Sequence, residues 1–520
     1  MKKTIPLVLI IASMMILPCR AEFKVNTHTS DNQTYPAIAS NANGNFVAVW
    51  SSYRQDGDKG GIFAQRFDAN CNPVGNEFQV NTTTADHQTE PAVAMNAAGF
   101  FVVAWQSLGL NQEDIFAQRF DPNGQLLGSE FLVNTYTNDK QLCPGVAMNN
   151  NGGFVVVWES INIPAQPDKR SVCARLYDSS GSAMGPEFIV NDEVSKCRYP
   201  AVAIHNSGKF VVVWIKDSSL NSVWVRHFMA DGTAPYLSKI VNDTFNFTSL
   251  TRPDVAIDDI GNYVIVWDGH PSSYLEDDIY LKMYHYTHAP IHDQFIVNTY
   301  QTGAQSNPAV AMNASGEFVV TWQSDTDSNS AKIDIFGQRF PAQDENIGQP
   351  ILIGDQFQIN TYTLDDQTYP AVAIRENGQF VTLWQSDGQD GSGYGIFGQL
   401  GPKIRCADFN SDGFVNFADF CIIAQEWLKD ENPLIADLID DNIVDGQDLE
   451  AFGIQWLKPC YPCSSVDLNP DGKIDFLDYA FLADNWRQQG PLDGDITGNG
   501  TVNMDDLMAF VLYWNQTCGQ

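Results

Sequence analysis

Glu77–Ser129 reads EFQVNTTTADHQTEPAVAMNAAGFFVVAWQSLGLNQEDIFAQRFDPNGQLLGS, and variants of it recur seven times before residue 400. Runs like PAVA begin at Pro36, Pro91, Pro144, Pro200, Pro253, Pro308 and Pro370. Each is followed by a Gly-containing turn and a Val-rich run ending in Trp50, Trp105, Trp158, Trp214, Trp267, Trp322 or Trp384. A period of roughly 55 residues decides the architecture, because one unit cannot bury its own apolar face without neighbours.

Within one copy four short strands are expected, near Pro91–Met95, Phe101–Trp105, Ile115–Phe120 and Phe131–Val133. Asn, Gly, Asp and Pro clusters between them supply turn conformations. Phe101–Trp105 is apolar on both faces, as a strand between two neighbouring sheets must be. Ala92 and Ala94 are small enough for an innermost strand, where sheets crowd around an axis. The expectation is a mainly β chain: a seven-bladed β-propeller over residues 22–400.

The ends of the array sharpen that expectation. Phe23–Asn26 has no IFAQRF-like strand before it, and Gly395–Leu400 has no Phe-x-Val strand after it. The first strand is therefore expected to complete the last sheet and close the ring; the alternative is an open solenoid.

The chain opens with Lys2 and Lys3, an apolar run Ile5–Leu17, and Cys19-Arg20-Ala21. That order predicts a secretory signal peptide over residues 1–21, and no other stretch is long and apolar enough to span a bilayer. Cleavage removes Lys2, Lys3 and Arg20 and no acid, so the net charge of −34 becomes −37. So acidic a surface argues against nucleic acid or an anionic membrane as partner. Export permits disulfides, and the nine cysteines left after cleavage leave at least one unpaired. Cys143 and Cys197, on successive copies, form one candidate pair.

Copies four and five drift. Three residues before the repeat Pro stand Gln33, Gln88, Gln141, Gln305 and Gln367, but Cys197 and Leu250 in those two copies. The loops carrying these Gln and those after the Trp strand are expected on one face, a candidate glycan-binding rim. Gln55–Asp58 and Asp387–Gly391 suit calcium or simple turns, and His285, His288 and His292 suit zinc or a solvated loop. No Gly-x-Ser-x-Gly, His-Glu-x-x-His, phosphate loop or sialidase-type Asp box is present. Over residues 22 to about 400 the repeats resemble the EF-x-VNT…PAVAM…FVVVWQS…IFAQRFD repeats of many secreted bacterial proteins, which implies an extracellular repeat domain.

After a linker at 401–405 the composition changes. Residues 406–520 hold 21 acids against 4 Lys or Arg, arranged as four 12-residue loops each followed by an amphipathic run. The runs end in Trp427, Trp456, Trp486 and Trp514, each eight residues after its loop's last acid. Loop one offers Asp408, Asn410, Asp412, the Phe414 carbonyl, Asn416 and Asp419. Loop three offers Asp467, Asn469, Asp471, the Lys473 carbonyl, Asp475 and Asp478. Ligands at positions 1, 3, 5, 7, 9 and 12 with Gly at 6 are what Ca²⁺ requires. Loop four, with Asp495, Thr497, Asn499, Thr501, Asn503 and Asp506, carries fewer charges and should bind more weakly. Loop two keeps Asp437, Asp441 and Asp448 but has Ile439 at position 3 and Asn442 at position 6.

These paired units resemble dockerin domains, as two tandem modules at 406–460 and 461–520. The resemblance implies calcium-dependent folding into a small helical, EF-hand-like domain and docking onto a cohesin-like surface partner, as in polysaccharide-degrading assemblies. Loop positions 10 and 11 (Phe417-Ala418, Gly446-Gln447, Phe476-Leu477, Met504-Asp505) depart from the Ser or Thr of many cellulosomal dockerins. Cys406 and Cys460 flank the first module and Cys463 and Cys518 the second, predicting the clasps Cys406–Cys460 and Cys463–Cys518 with Cys421 free; the rival is Cys460–Cys463. The sequence therefore points to a secreted, calcium-binding, non-enzymatic recognition or display protein docked through its C-terminal region. The alternative is a polysaccharide hydrolase or lyase with its site on the propeller axis.

Overall fold

The structure is a computed structural model of the whole chain. It describes residues 22–401, apart from 109–112, 164–168, 193–194, 219–220, 244–246, 272–275, 301–302, 326–331 and 343–351, together with 420, 422–424 and 444. The leader, the calcium-loop residues and the four cysteines flanking the C-terminal modules lie outside the described residues.

The described chain is mainly β, built from repeated four-stranded antiparallel units. Copy two runs inner to outer through His87–Met95, Phe101–Leu108, Glu113–Phe120 and Phe131–Leu132. The inner strands are longer than sequence periodicity suggests, because pairing with the second strand already begins two or more residues before the repeat Pro. Copies one and two are joined into one sheet by a single parallel bridge, Gly60 to His87. In copy five the inner strand is broken into Phe247–Ser249 and Asp254–Ile257. Successive inner strands lie against one another, and Gln33–Ser40 of copy one also lies against Gln367–Ile374 of copy seven. The sheets are thus set radially, in a propeller-like arrangement.

The last sheet takes its outer strand from the start of the chain. Phe23 and Lys24 pair with Gly398 and Phe397. Gly398 lets the strand pack close, since a Cβ there would sit 2.6 Å from Leu383 Cδ2 and 2.8 Å from the Phe23 ring.

Burial follows the repeat. All seven repeat Trp are at most 1% exposed, and the Val-rich second strands contribute to cores on both faces. Burying a Trp indole requires a partner for its N–H. Trp158, Trp322 and Trp384 donate to Gln141, Gln305 and Gln367 at 2.9, 3.1 and 2.8 Å. These Gln, read from the sequence as rim residues, are instead buried: they open the inner strands and turn inward to the Trp or to a buried Asn.

The EF-x-VNT segment is equally structural. Its Asn (Asn26, Asn81, Asn134, Asn191, Asn242, Asn298 and Asn360) accepts a third-strand N–H at 2.6–2.9 Å in every copy. Its Glu or Gln reaches the preceding copy: Glu77 accepts from Thr27 N at 2.5 Å, Glu130 from Thr82 N at 2.6 Å and Glu187 from Thr135 N at 2.6 Å. Gln294, Gln356 and Glu22 do the same for Asp243, Thr299 and Thr361. Between copies three and four the polarity reverses, Ser238 N donating to Asp192 at 2.9 Å.

Candidate binding site at the axis

A bulge in the inner strand of six of the seven copies creates the site. Tyr35 and Pro36 together oppose Trp50, so the register slips between Thr34 and Ala37, and the same slip recurs in copies two, three, four, six and seven. The residue before the Pro then adopts φ near +50°: Tyr35, Glu90, Cys143, Tyr199, Asn307 and Tyr369 all lie between 50° and 54°. A non-Gly residue held there costs about 1–3 kcal/mol and needs surrounding support.

The support comes from the neighbouring copy. The residue after the repeat Trp accepts the N–H of the strained residue one copy on: Gln106 from Cys143 at 3.0 Å, Asp268 from Asn307 at 3.0 Å and Gln323 from Tyr369 at 3.1 Å. Gln385 does so for Tyr35 at 3.1 Å, and Glu159 for Tyr199. In copy four this position is Ile215, which has no acceptor. Arg252, one copy on, is correspondingly absent from the positive-φ set. Thr251 N donates instead to Asp268 of its own copy at 2.7 Å.

Seven pre-proline positions are thereby brought around one axis, and their side chains differ while the framework repeats. Arg252 Nη2 meets Glu90 Oε2 at 2.8 Å, joining copies five and two across the axis. The Arg252 guanidinium lies 5.3 Å from the Tyr199 ring centroid, and Arg198 lies 4.9 Å from the same ring. Tyr35 and Tyr369 meet edge to face at 5.1 Å. Beneath them is a cavity of ≈ 280 Å³ lined by Pro and small apolar residues, with Cys143, Tyr199, Arg252 and Asp254 as its polar members.

Electrostatics set these groups apart. Burial pushes the Cys143 thiol far up, and Glu90 and Glu159 add to it, so it stays protonated. Asp254 replaces the Ala of PAVA; burial raises it to about 6, while both its oxygens accept backbone N–H groups, Val255 and Val310, at 2.9 Å. Asp268 is raised by burial to about 6. Glu159, which holds Tyr199, is raised by burial to about 7 despite its 2.8 Å contact with Arg170.

Other sequence candidates resolve differently. Cys143 and Cys197 are both reduced: Cys143 lines the axial cavity, whereas Cys197 is buried in the Gln position of copy four, 3.3 Å from Ser195 Oγ. The three histidines do not converge. His285 bonds Thr287, His288 stacks on His227 at 3.4 Å between centroids, and His292 is buried. Among the described residues no group of three metal-ligating side chains forms. Asp56 and Asp390 accept backbone N–H groups within their own turns.

The pre-proline ring itself was missed in the sequence. Its signal was present: within a near-invariant repeat, the residue before the Pro changes from Tyr to Glu, Cys, Tyr, Arg, Asn and Tyr.

No protein-family model and no curated protein matches the sequence. Among solved structures the chain is similar to an ulvan lyase bound to -[GlcA(1-4)Rha3S]- (8% identity, TM-score 0.46, covering 73% of this chain and 94% of that one). It is likewise similar to an α-L-arabinanase from Penicillium chrysogenum complexed with arabinobiose (12%, 0.41, 73% and 99%). A third likeness is to the β-propeller domain of the trilobed protease from Pyrococcus furiosus (10%, 0.41, 72% and 94%).

Proposed function

We propose that the chain is a secreted, seven-bladed β-propeller whose axial mouth recognises a glycan, displayed by a calcium-organised docking region at 406–520. The observation that carries this is the ring of unlike side chains on a like framework. Tyr35, Tyr199 and Tyr369 offer apolar faces that suit sugar C–H surfaces. Arg252, Glu90 and Asn307 offer the donors and acceptors that hydroxyl groups require. Tolerating strain at six such positions is the mark of a functional surface rather than of packing alone.

The C-terminal loops, with Asp408 to Asp419 and Asp467 to Asp478 as strong sites, Asp495 to Asp506 as a weaker one and Asp437 to Asp448 as a degenerate one, would bind Ca²⁺ and present helices to a cohesin-like or other surface partner. Calcium would be a structural ion there, folding the loops rather than supplying chemistry.

The test is calorimetric titration of the full chain with a panel of plant and algal oligosaccharides in calcium. Saturable binding that Tyr35→Ala and Tyr369→Ala each weaken at least tenfold is expected. A panel without binding, or binding indifferent to both variants, overturns the proposal. A second reading, a polysaccharide-active enzyme, is favoured by one feature: Asp254, raised to about 6, in the throat below Arg252. Release of new reducing ends or unsaturated products from a bound glycan, lost in Asp254→Asn, selects it.

A further inference from the structure

Arg252 differs from the other members of the ring in what it leaves open. Among the described residues its guanidinium makes one hydrogen bond, Nη2 to Glu90 at 2.8 Å, out of five possible donors. Its side chain is 39% exposed while that of Glu90 is 18% exposed, so within the cavity mouth the cation is the more accessible member of the pair. The Tyr199 ring lies beneath the guanidinium, its centroid 5.3 Å from Cζ. The other ring positions offer phenol rings at Tyr35, Tyr199 and Tyr369 and an amide at Asn307, the Cys143 thiol is held protonated, and both Asp254 oxygens are taken by backbone N–H groups.

We infer that the axial mouth selects saccharides bearing an oxyanion, a carboxylate or a sulfate ester, and that Arg252 is the residue that binds it. This rests on the glycan-recognition proposal above. A planar fork held against an aromatic ring matches the two oxygens of a carboxylate or sulfate in a way that an ammonium group does not. Glu90 holds the fork in place in the free protein and gives up its single bond when the ligand's oxyanion takes over. The chain's charge of −34 repels anions at long range, so selection comes from this local contact rather than from steering.

The experiment titrates the full chain with three probes: an oligogalacturonide, a sulfated galactan oligosaccharide and an unsubstituted galactan oligosaccharide. At least one acidic probe should bind ten or more times tighter than the neutral one, and which one does so separates carboxylate from sulfate. Arg252→Gln should reduce acidic binding to the neutral level while leaving neutral binding within twofold. Arg252→Lys should keep only part of the preference, and Glu90→Gln should tighten acidic binding several-fold by freeing the fork. Thermal unfolding of each variant keeps a folding defect distinct from a binding one, and Glu90→Gln carries the test if Arg252→Gln does not fold. Equal affinity for charged and neutral probes, or a preference that survives Arg252→Gln, overturns the inference while leaving glycan recognition standing. Binding of none of the three and of nothing in the wider panel removes the recognition proposal itself.

Discussion

Gln385 of the last copy accepts the backbone N–H of Tyr35 in the first, 350 residues away, at 3.1 Å. The bond holds a residue at φ 54° and belongs to a set that runs from copy to copy. Gln385→Leu leaves the Tyr35 N–H without its partner. The expected cost is about 1–3 kcal/mol, read as a lower melting temperature. Glycan affinity should fall as well, because the Tyr35–Tyr369 pair loses one anchor.

Copy five carries a repairable defect. Leu250 occupies the position of the Trp-bonding Gln, and Trp267 Nε1 is buried with no partner among the described residues. Leu250→Gln should supply the acceptor and stabilise the protein by about 1 kcal/mol, measured by denaturant unfolding. Unchanged or lower stability would show that the local packing of copy five no longer admits the amide.

Glu159 gives one sign of pH dependence. Its folded value of about 7 stands above the ordinary 4.5, so between those values the folded chain holds a proton that the unfolded chain has released. Stability from this group is full below about 4.5 and is lost as pH rises through 7. Melting temperatures of Glu159→Gln relative to the parent should therefore improve from pH 5 to about pH 7 and level off above it.

His227 gives the opposite sign. Burial, and the His288 ring stacked on it, lower it from 6.5 to about 3, so across that window the unfolded chain binds the extra proton. Stability falls as pH drops below about 6.5. His227→Gln should lose less stability than the parent between pH 7 and pH 4, and parallel curves would exclude the histidine as the source.

Much of this was legible in the sequence. The repeat, the small inner-strand residues and the unmatched ends at Phe23 and Leu400 sufficed for a mainly β, propeller-like array, because burial of Trp, Val and Phe at a fixed period leaves few other solutions. The Gln was misplaced for an instructive reason. A polar residue in a turn-rich stretch looks solvated until its partner is known, and that partner, the Trp 17 residues on, is found only across the sheet. The site was hidden for the converse reason. Tyr, Glu, Cys and Arg before a Pro have no common chemistry, and it is the bulge, in every copy but the fifth, that turns them toward the axis. Nothing in linear spacing sets Glu90 beside Arg252, 162 residues away.

The pairing of Phe23 and Lys24 with Gly398 and Phe397 has a consequence for assembly. Synthesis runs from the amino end, so the strand made first waits for a groove made last, with Asn26 and its Ile396 partner 370 residues apart. During that wait the strand carries an unpaired edge. Another molecule's final sheet offers it the same groove, with the same glycine and the same acceptors. When many chains fold together, exchange of this first strand between molecules competes with self-completion, and linked oligomers are the product to be sought in concentrated refolding.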